Sequence, residues 1–131
     1  MTTRELMIGN YVMAINNYED IFYVNCIYGY RDLNITSGIY KNYDTTIRDV
    51  KPIPLTEEWM IKFGFNKIIG KFVINPNSRY NVCVALRNNK WHLYNDDCDA
   101  ECNIICEVET VHRLQNLFFD IWNFELTIKN K

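Results

Sequence analysis

Two segments with well-defined helix boundaries constrain this fold more than any other feature of the sequence. They cover residues 52–65 and 111–119, and the sequence around them has the pattern of short strands. Two short helices among many short strands predict a mixed α+β fold. At 131 residues the chain is long enough for one domain with an ordinary core.

The first helix has boundary signals at both ends. Thr56 is a suitable N-cap, and the two acidic residues after it lie where the helix dipole favours negative charge. Gly64 can take the left-handed conformation that ends a helix, which brings Phe65 back onto Met60. These signals predict a helix over residues 57–63. Because this helix is short, it must be held by tertiary packing.

The last helix is predicted from periodicity. Thr110 is a suitable cap, and the apolar residues after it recur at helical spacing. The apolar stripe consists of Val111, Leu114, Leu117, Phe118 and Ile121. The polar residues between them are predicted to face water, and these are His112, Arg113, Gln115, Asn116 and Asp120.

The N-terminal half has the pattern of several short strands joined by tight turns. In chain order, strands are predicted over 6–13, 21–27, 33–35 and 47–53. Pro52 and Pro54 cannot donate to a strand ladder, so the last of these strands should lie at a sheet edge. This half is predicted to form a small SH3-like barrel or a curved antiparallel sheet.

A β-hairpin with a definite register is predicted in the second half. Asn88 and Asn89 suit a two-residue turn, because Asn tolerates positive φ. One face then carries the pairs Leu86–Trp91 and Val84–Leu93. The opposite face carries Cys83, Ala85, His92 and Tyr94. Further strands are predicted over 71–74, 103–108 and 124–128, with Ile104, Cys106 and Val108 on one face of the second.

The domain prediction is a single domain over 1–131. The alternative division is a β-rich subdomain 1–54 and an α+β subdomain 55–131 that share a core. Neither a membrane span nor a signal peptide is predicted, because no apolar run reaches about 18 residues and the N-terminus lacks the basic-then-apolar pattern. Five cysteines without an export signal are predicted to be reduced thiols of a cytoplasmic protein.

Candidate chemical sites are weak. The series Cys98, Cys102 and Cys106 has spacings near those of zinc ligands, but no second ligand pair accompanies it, so no metal is predicted. The segment 97–101 begins like a calcium loop and then lacks the turn glycine and the final glutamate. In the predicted hairpin His92 and Cys83 lie diagonally, with no orienting third residue. The sequence therefore predicts no catalytic residue and no cofactor.

Tyrosine and arginine side chains concentrate in the β-rich half. Such residues are common anchors of protein contacts, and aromatic rings near positive charge can also stack single-stranded bases. The candidate binding residues are Tyr18, Tyr23, Tyr28, Tyr30, Arg31, Tyr40, Tyr43 and Arg48. The net charge of −2, with no basic stripe, disfavours binding to a phosphate backbone.

Three stretches carry a family resemblance. They are 4–12, 52–65 and 111–119, the last followed by Glu125-Leu126-Thr127. Together they resemble a group of short, uncharacterised proteins encoded by phages and prophage-like elements of Bacteroidales gut bacteria. The resemblance implies a phage context and expression in the host cytoplasm, and it supplies no active site. The stretch 70–107 has no counterpart in that group.

The expected function is a non-enzymatic module that binds a host or phage protein in the host cytoplasm. One alternative is a nucleic-acid or nucleotide-binding accessory module that uses the Tyr-rich half. Another is a small structural component of a phage particle, which would make the protein virion-associated. No oligomeric state is predicted.

Overall fold

The fold is mixed α+β, as predicted, and contains two antiparallel sheets of five strands each. The computed structural model describes residues 5–15, 21–37, 40–76, 81–95 and 103–129. No helix in these ranges is both long enough and apolar enough to cross a membrane.

The first sheet lies within the N-terminal part of the chain. Its strands are β1 (Tyr11–Ala14), β2 (Ile21–Tyr28), β3 (Asp32–Thr36), β4 (Tyr43–Thr46) and β5 (Val50–Lys51). They are ordered β4-β3-β2-β1-β5, and every neighbouring pair is antiparallel. A 3-10 turn over Ile47–Asp49 separates β4 from β5.

Alternating burial along β1, β3 and the first half of β2 builds the core of this sheet. Val12 and Ala14 are buried on β1, whereas Tyr11 and Met13 are half-buried. The same period of two recurs on the neighbouring strands, because successive side chains of a strand point to opposite faces. The buried cluster comprises Leu6, Val12, Ala14, Phe22, Val24, Leu33, Ile35 and Val50.

Of the two predicted forms, the sheet takes the open antiparallel one and not a closed barrel. In the described residues β4 and β5 are its two edges, and they do not pair with each other. The prediction of one strand over 47–53 was wrong, because a 3-10 turn occupies its first three residues and β5 is only two residues long. The short strand β4 was not predicted.

The second sheet lies between the two helices in the sequence. Its strands are β6 (Asn66–Ile68), β7 (Lys71–Ile74), β8 (Val82–Arg87), β9 (Lys90–Asn95) and β10 (Asn103–Glu107). They are ordered β10-β9-β8-β7-β6 and again antiparallel. The prediction of a strand over 71–74 is confirmed, whereas β6 was not predicted.

The predicted hairpin register is confirmed for β8 and β9. Leu86 pairs with Trp91, and Val84 pairs with Leu93. The turn residues Asn88 and Asn89 have φ values of 52° and 63°, as a two-residue turn of this type requires.

The first helix, α1 (Glu57–Lys62), has the caps that the sequence predicts and ends one residue before the predicted end at residue 63. The Thr56 hydroxyl accepts a bond from the Trp59 N–H. At the other end Gly64 has φ 92°, and the Phe65 N–H donates to the Met60 carbonyl at 3.0 Å. The Gly64 N–H donates to the Ile61 carbonyl at 3.0 Å, and the two bonds together form a Schellman motif.

The strand predicted over 103–108 is confirmed as β10, but the regular alternation expected along it and the further strand predicted over 124–128 were wrong. Residues 103–108 were expected to alternate regularly, but the register of β10 shifts between Ile104 and Cys106, so the regular alternation breaks there. Residues 124–128 were expected to form a strand and have no regular structure. The N–H of Lys129, the residue that follows them, donates to the Lys62 carbonyl at 2.8 Å.

The last helix, α2 (Val111–Trp122), buries most of its predicted apolar stripe. Val111, Leu114, Leu117 and Phe118 are buried, but Ile121 is 45% exposed. The predicted wet side is wrong at two positions, since His112 and Gln115 are each only 5% exposed. Long-range hydrogen bonds to the peptide groups of Gly9 and Tyr11 explain the burial of Gln115. The buried Nδ1 of His112 has no hydrogen-bond partner.

Three side-chain amides, those of Asn10, Gln115 and Asn116, form what we call the amide clasp. Gln115 accepts a bond from the Tyr11 N–H at 2.9 Å and donates to the Gly9 carbonyl at 3.1 Å. Asn116 donates to the Glu5 carbonyl at 2.8 Å. Since every amide uses its oxygen and its nitrogen, the clasp fixes the orientation of all three.

The chain divides into two compact units that are discontinuous in sequence. The first comprises Met1–Pro54 with Thr110–Asn116, and the second comprises Leu55–Glu109 with Leu117–Lys131. The division after Pro54 falls at the boundary of the alternative subdomains, but residues 110–116 belong to the first unit. A single core shared by the whole chain stays a prediction.

Candidate interaction surface on the first sheet

The first sheet has one buried face and one face that carries mostly tyrosine and polar side chains. Cross-strand partners point to the same side of a sheet, and side chains alternate along each strand. The register therefore defines a set that we call the outer face: Tyr11, Met13, Ile21, Tyr23, Cys26, Tyr28, Asp32, Asn34, Thr36, Asp44, Thr46 and Lys51. None of these residues is fully buried.

A polar ladder crosses the outer face. The register of β2 against β3 shifts between Val24 and Cys26, which makes Asn25 a bulged residue. The Asn25 amide donates to the Asn34 Oδ1 at 2.8 Å and also to the Thr36 hydroxyl. Asn34 in turn donates to the Asp44 Oδ1 at 2.8 Å. The ladder therefore positions the Asp44 carboxylate from the neighbouring strands.

Tyr28 presents an aromatic ring on the same face. Its side chain is 54% exposed. The hydrogen bond to the Cys26 side chain is the main cause that raises the pKa of the Tyr28 phenol, followed by charge on Cys26, burial and the Asp44 carboxylate. A raised pKa keeps this phenol neutral at physiological pH, since the ordinary value is already 10.0.

A shallow depression of about 440 Å³ lies where β3 and β4 meet. It is lined by Tyr28, Asp32, Leu33, Asp44, Thr45 and Thr46. Its charged groups are the two carboxylates of Asp32 and Asp44, and its aromatic wall is Tyr28. In the described part of the chain neither carboxylate forms an ion pair with a Lys, Arg or His. The depression is therefore acidic and partly aromatic.

β4 leaves one row of its backbone groups unused by the sheet. The Ile47 N–H donates to the Arg31 carbonyl at 2.7 Å, which identifies one hydrogen-bonded pair of the β3–β4 ladder. Such pairs alternate along an antiparallel ladder, so the peptide groups of Asp44 and Thr46 point away from β3. Among the strands that the structure describes, β3 is the one neighbour of β4.

The structure separates the predicted tyrosines into two groups. Tyr23 and Tyr28 lie on the outer face, where they are 43% and 54% exposed. Tyr40 and Tyr43 instead pack against the buried ring of Phe22, with ring centroids 6.1 Å and 6.2 Å from it. The second pair therefore extends the core at the edge of the sheet while keeping part of each ring exposed.

The remaining predicted binding residues lie beside the outer face or outside the described ranges. Tyr30 and Arg31 lie in the turn between β2 and β3, and Tyr30 is 90% exposed. Arg48 lies in the 3-10 turn after β4 and is exposed. None of the three lines the depression. Tyr18 lies outside the described residues.

In the second sheet, the predicted geometry of His92 and Cys83 is confirmed by the strand register. Cys83 pairs with Tyr94 and His92 pairs with Ala85, which makes the two residues diagonal neighbours. Cys83 is buried in a cluster with Val73 and Tyr94. His92 has its Nε2 3.8 Å from the Glu107 Oε1 and its Nδ1 3.1 Å from the Lys90 carbonyl oxygen. These contacts orient the imidazole towards Glu107.

A second, smaller depression of about 140 Å³ lies against the second sheet. It is lined by Glu57, Lys67, Gly70, Phe72, Leu86 and Trp91. The ammonium of Lys67 lies 2.6 Å from the Glu57 carboxylate, so the two charges compensate each other. Ligand sites usually measure about 300–1,000 Å³, and this depression is therefore too small for a typical ligand.

The described residues contain no group of three His, Cys, Asp or Glu side chains that could hold a metal ion. Cys106 is half-buried on β10. Cys98, Cys102 and the calcium-like segment 97–101 lie outside the described residues, so the prediction that they bind no metal stays untested.

Asp32, Asp44 and Thr46 belong to the candidate surface but were not predicted from the sequence. They are brought together only by the pairing of β3 with β4, and β4 was not predicted. Its sequence, Tyr-Asp-Thr-Thr, contains one aromatic and two β-branched residues, which is a weak strand signal. Placing Tyr43 opposite Ile35 would have been enough to bring Asp44 beside Asn34.

Comparison with known proteins adds no further constraint, since no family model, curated protein or solved structure matches this chain.

Proposed function

We propose that this chain is a phage-encoded protein-interaction module without catalytic activity, which binds a host or phage protein through the outer face of the first sheet. The phage origin rests on the family resemblance of the three sequence stretches. The binding surface rests on the structure, because the outer face carries exposed aromatic rings next to polar groups held in fixed positions. Tyrosines in such settings are common anchors in protein interfaces.

The observation that carries this proposal is the exposure of Tyr23 and Tyr28 on a sheet face opposite a fully buried core. Tyrosine provides a large apolar contact area together with a hydroxyl group that can hydrogen-bond. The polar ladder holds Asn34 and Asp44 in place before any partner arrives. Such preorganisation lowers the entropic cost of binding.

The acidic depression favours a protein partner over nucleic acid. Asp32 and Asp44 lie on the same surface as the exposed rings, and carboxylates repel a phosphate backbone. The two arginines predicted to assist base stacking, Arg31 and Arg48, do not line that depression.

We also propose that the first sheet is an open SH3-like arrangement. Five short antiparallel strands follow the order β4-β3-β2-β1-β5, with a 3-10 turn between the fourth and fifth strands. The proposal concerns architecture, and the fold class alone assigns no ligand.

The test is an affinity pull-down from Bacteroidales cells that express the tagged chain, with and without nuclease, read by mass spectrometry. The expected result is a nuclease-resistant partner that is lost with the double variant Tyr23→Ala/Tyr28→Ala. The matched control Tyr30→Ala removes an equally large exposed ring outside the outer face and should retain the partner.

Other outcomes would contradict the proposal in distinct ways. Partners that disappear on nuclease treatment would support the nucleic-acid alternative. Detection of the chain in purified virions, without a cellular partner, would support the structural-component alternative. A partner that is retained by the double tyrosine variant would move the interface away from the outer face.

A further inference from the structure

We propose that the free edge of β4 receives an extended basic segment of the partner, and that a Lys or Arg side chain of this segment occupies the acidic depression. This inference rests on the proposed function and specifies the chemistry of the partner. It combines two separate features, an unused strand edge and an acidic, aromatic recess beside it.

The strand edge provides the backbone part of the site. The peptide groups of Asp44 and Thr46 point away from β3, so they present donors and acceptors at the spacing of an antiparallel ladder. An added strand would lie about 4.8 Å from β4 and would extend the five-stranded sheet by one. Peptides commonly bind to sheet edges in this way, with affinity supplied by main-chain hydrogen bonds.

The register then decides where the side chains of the added strand lie. Alternate residues of that strand would point to the outer face, beside Asp44 and Thr46. Asp32 lies one strand further in, directly across from Thr46. A short side chain on the added strand would end over β4, whereas Lys or Arg is long enough to cross it and reach Asp32.

The charge of the depression favours a cation at that position. Asp32 and Asp44 are both exposed acidic residues, and no described Lys, Arg or His forms an ion pair with either. The Asn34 amide uses one oxygen of Asp44 and leaves the other for a ligand. An acidic segment or a phosphate group would be repelled by both carboxylates.

The ring of Tyr28 provides a third contact for the same cation. It lines the depression together with the two carboxylates and is exposed. A cation over an aromatic face is attracted by the quadrupole of the ring, and arginine makes this contact more often than lysine. Arginine also matches carboxylate geometry with its planar fork of donors, so we expect it to be preferred.

The test begins with a selection of random heptapeptides by mRNA display against the immobilised full chain. Recovered peptides are expected to carry one Arg or Lys flanked by β-branched residues, which favour the extended conformation. Synthetic copies are then measured by fluorescence anisotropy. Their affinity is expected to fall as NaCl is raised from about 50 to 500 mM, because exposed charge pairs are screened by salt.

Matched variants assign the binding to the proposed site. The double variant Asp32→Asn/Asp44→Asn keeps an oxygen that can accept the Asn34 bond and removes both charges, and it is expected to weaken binding about tenfold. Asp120→Asn removes an exposed carboxylate from α2 in the second unit and should leave affinity unchanged. N-methylation of the backbone amides of the synthetic peptide that face β4, which are every second amide, should abolish binding, because it removes the N–H groups that pair with β4. Far-UV circular dichroism and melting temperature confirm that each variant is folded.

The opposite results overturn this inference. Peptides that lack a basic residue, or that bind the Asp32→Asn/Asp44→Asn variant as well as the wild type, would contradict the cationic site. Binding that survives N-methylation would contradict strand addition. These failures leave the protein-interaction function standing if the pull-down yields a partner that depends on Tyr23 and Tyr28. A selection without any binder, together with a pull-down without a partner, would overturn both.

Discussion

The side-chain amide of Asn10 donates a hydrogen bond to the side-chain oxygen of Asn116 over 2.9 Å, although the residues are 106 positions apart in sequence. Asn10 also accepts a bond from the Met7 N–H at 2.7 Å, so it shapes the approach to β1 while contacting α2. The amide clasp therefore joins the first strand of the sheet to the beginning of the last helix through side chains that lie on one turn of that helix.

Gln115→Leu is expected to destabilise the protein by about 2–4 kcal/mol. The change removes both the acceptor of the Tyr11 N–H and the donor to the Gly9 carbonyl. A buried peptide group that loses its partner costs about 1–3 kcal/mol, and these two groups are partly buried, so we expect the lower part of the summed range. Urea denaturation followed by circular dichroism measures this loss. Arg113→Ala changes an exposed residue of the same helix and should cost less than about 0.5 kcal/mol. Equal effects of the two changes would show that the clasp does not stabilise the fold.

His112 is expected to make stability pH-dependent. Burial is the main cause that lowers its pKa from the ordinary value of 6.5, and the charge of Arg113 and the N-terminal amino group act in the same direction, while Glu5 opposes them. In the folded state the imidazole therefore remains neutral to lower pH than in the unfolded state. The contribution of His112 to the free energy of unfolding is therefore unaffected by pH above about 6.5. It decreases as the pH falls below this value, because the unfolded state then binds more protons than the folded state.

His112→Leu is the variant that tests this behaviour. The Nδ1 of His112 is buried without a hydrogen-bond partner, so an apolar residue should be tolerated and should reduce the loss of stability between about pH 7 and 5. Melting temperatures across this range provide the measurement. An unchanged profile in His112→Leu would assign the titration to other groups.

Gly64→Ala is expected to destabilise the protein more than Gly70→Ala. Both glycines have positive φ, 92° and 77°, so alanine is strained at either position, at a cost of about 1–2 kcal/mol. A Cβ at position 64 would also lie 3.2 Å from the Lys129 Cγ, whereas one at position 70 would meet no atom within 4 Å. Chemical denaturation of both variants compares them. The reverse ranking would show that the Lys129 contact gives way without cost.

The hairpin turn is expected to respond to substitution at Asn89 in both directions. Asn89 has φ 63°, and glycine adopts this conformation without strain, so Asn89→Gly should raise the melting temperature slightly. Asn89→Val should lower it by an amount that corresponds to about 1–2 kcal/mol, because a β-branched residue is strongly disfavoured at positive φ. Calorimetry of the two variants provides the test. A valine variant as stable as the glycine variant would mean that the turn rearranges.

The elements that could be predicted from the sequence are those specified by neighbouring residues. The cap at Thr56, the left-handed Gly64 and the Asn88-Asn89 turn act within a few positions of the chain, and the structure confirms α1 and the β8–β9 register. Periodicity was enough to predict α2, because the stripe from Val111 to Phe118 is buried as a unit.

The features that were missed depend on partners far away in sequence. Gln115 is buried because it satisfies peptide groups more than a hundred positions away, so its polarity gave the wrong prediction of exposure. β4 has few apolar residues, because an edge strand with exposed side chains needs little burial. The candidate depression depends on that strand, and for this reason Asp32 and Asp44 were not recognised. The tyrosines were recognised by composition, but composition did not separate Tyr28 on the outer face from Tyr43 at the core edge.

The discontinuity of the first compact unit has a consequence for biosynthesis. Residues 110–116 belong to this unit, yet the ribosome must first produce the whole of 55–109. At about 5–20 residues per second this takes several seconds, during which the nascent sheet lacks Gln115 and Asn116. The peptide groups of Gly9 and Tyr11 lack these helix partners until then. The first compact unit is therefore complete only after residues 110–116 have been translated. Chaperones can act on its N-terminal part during this interval.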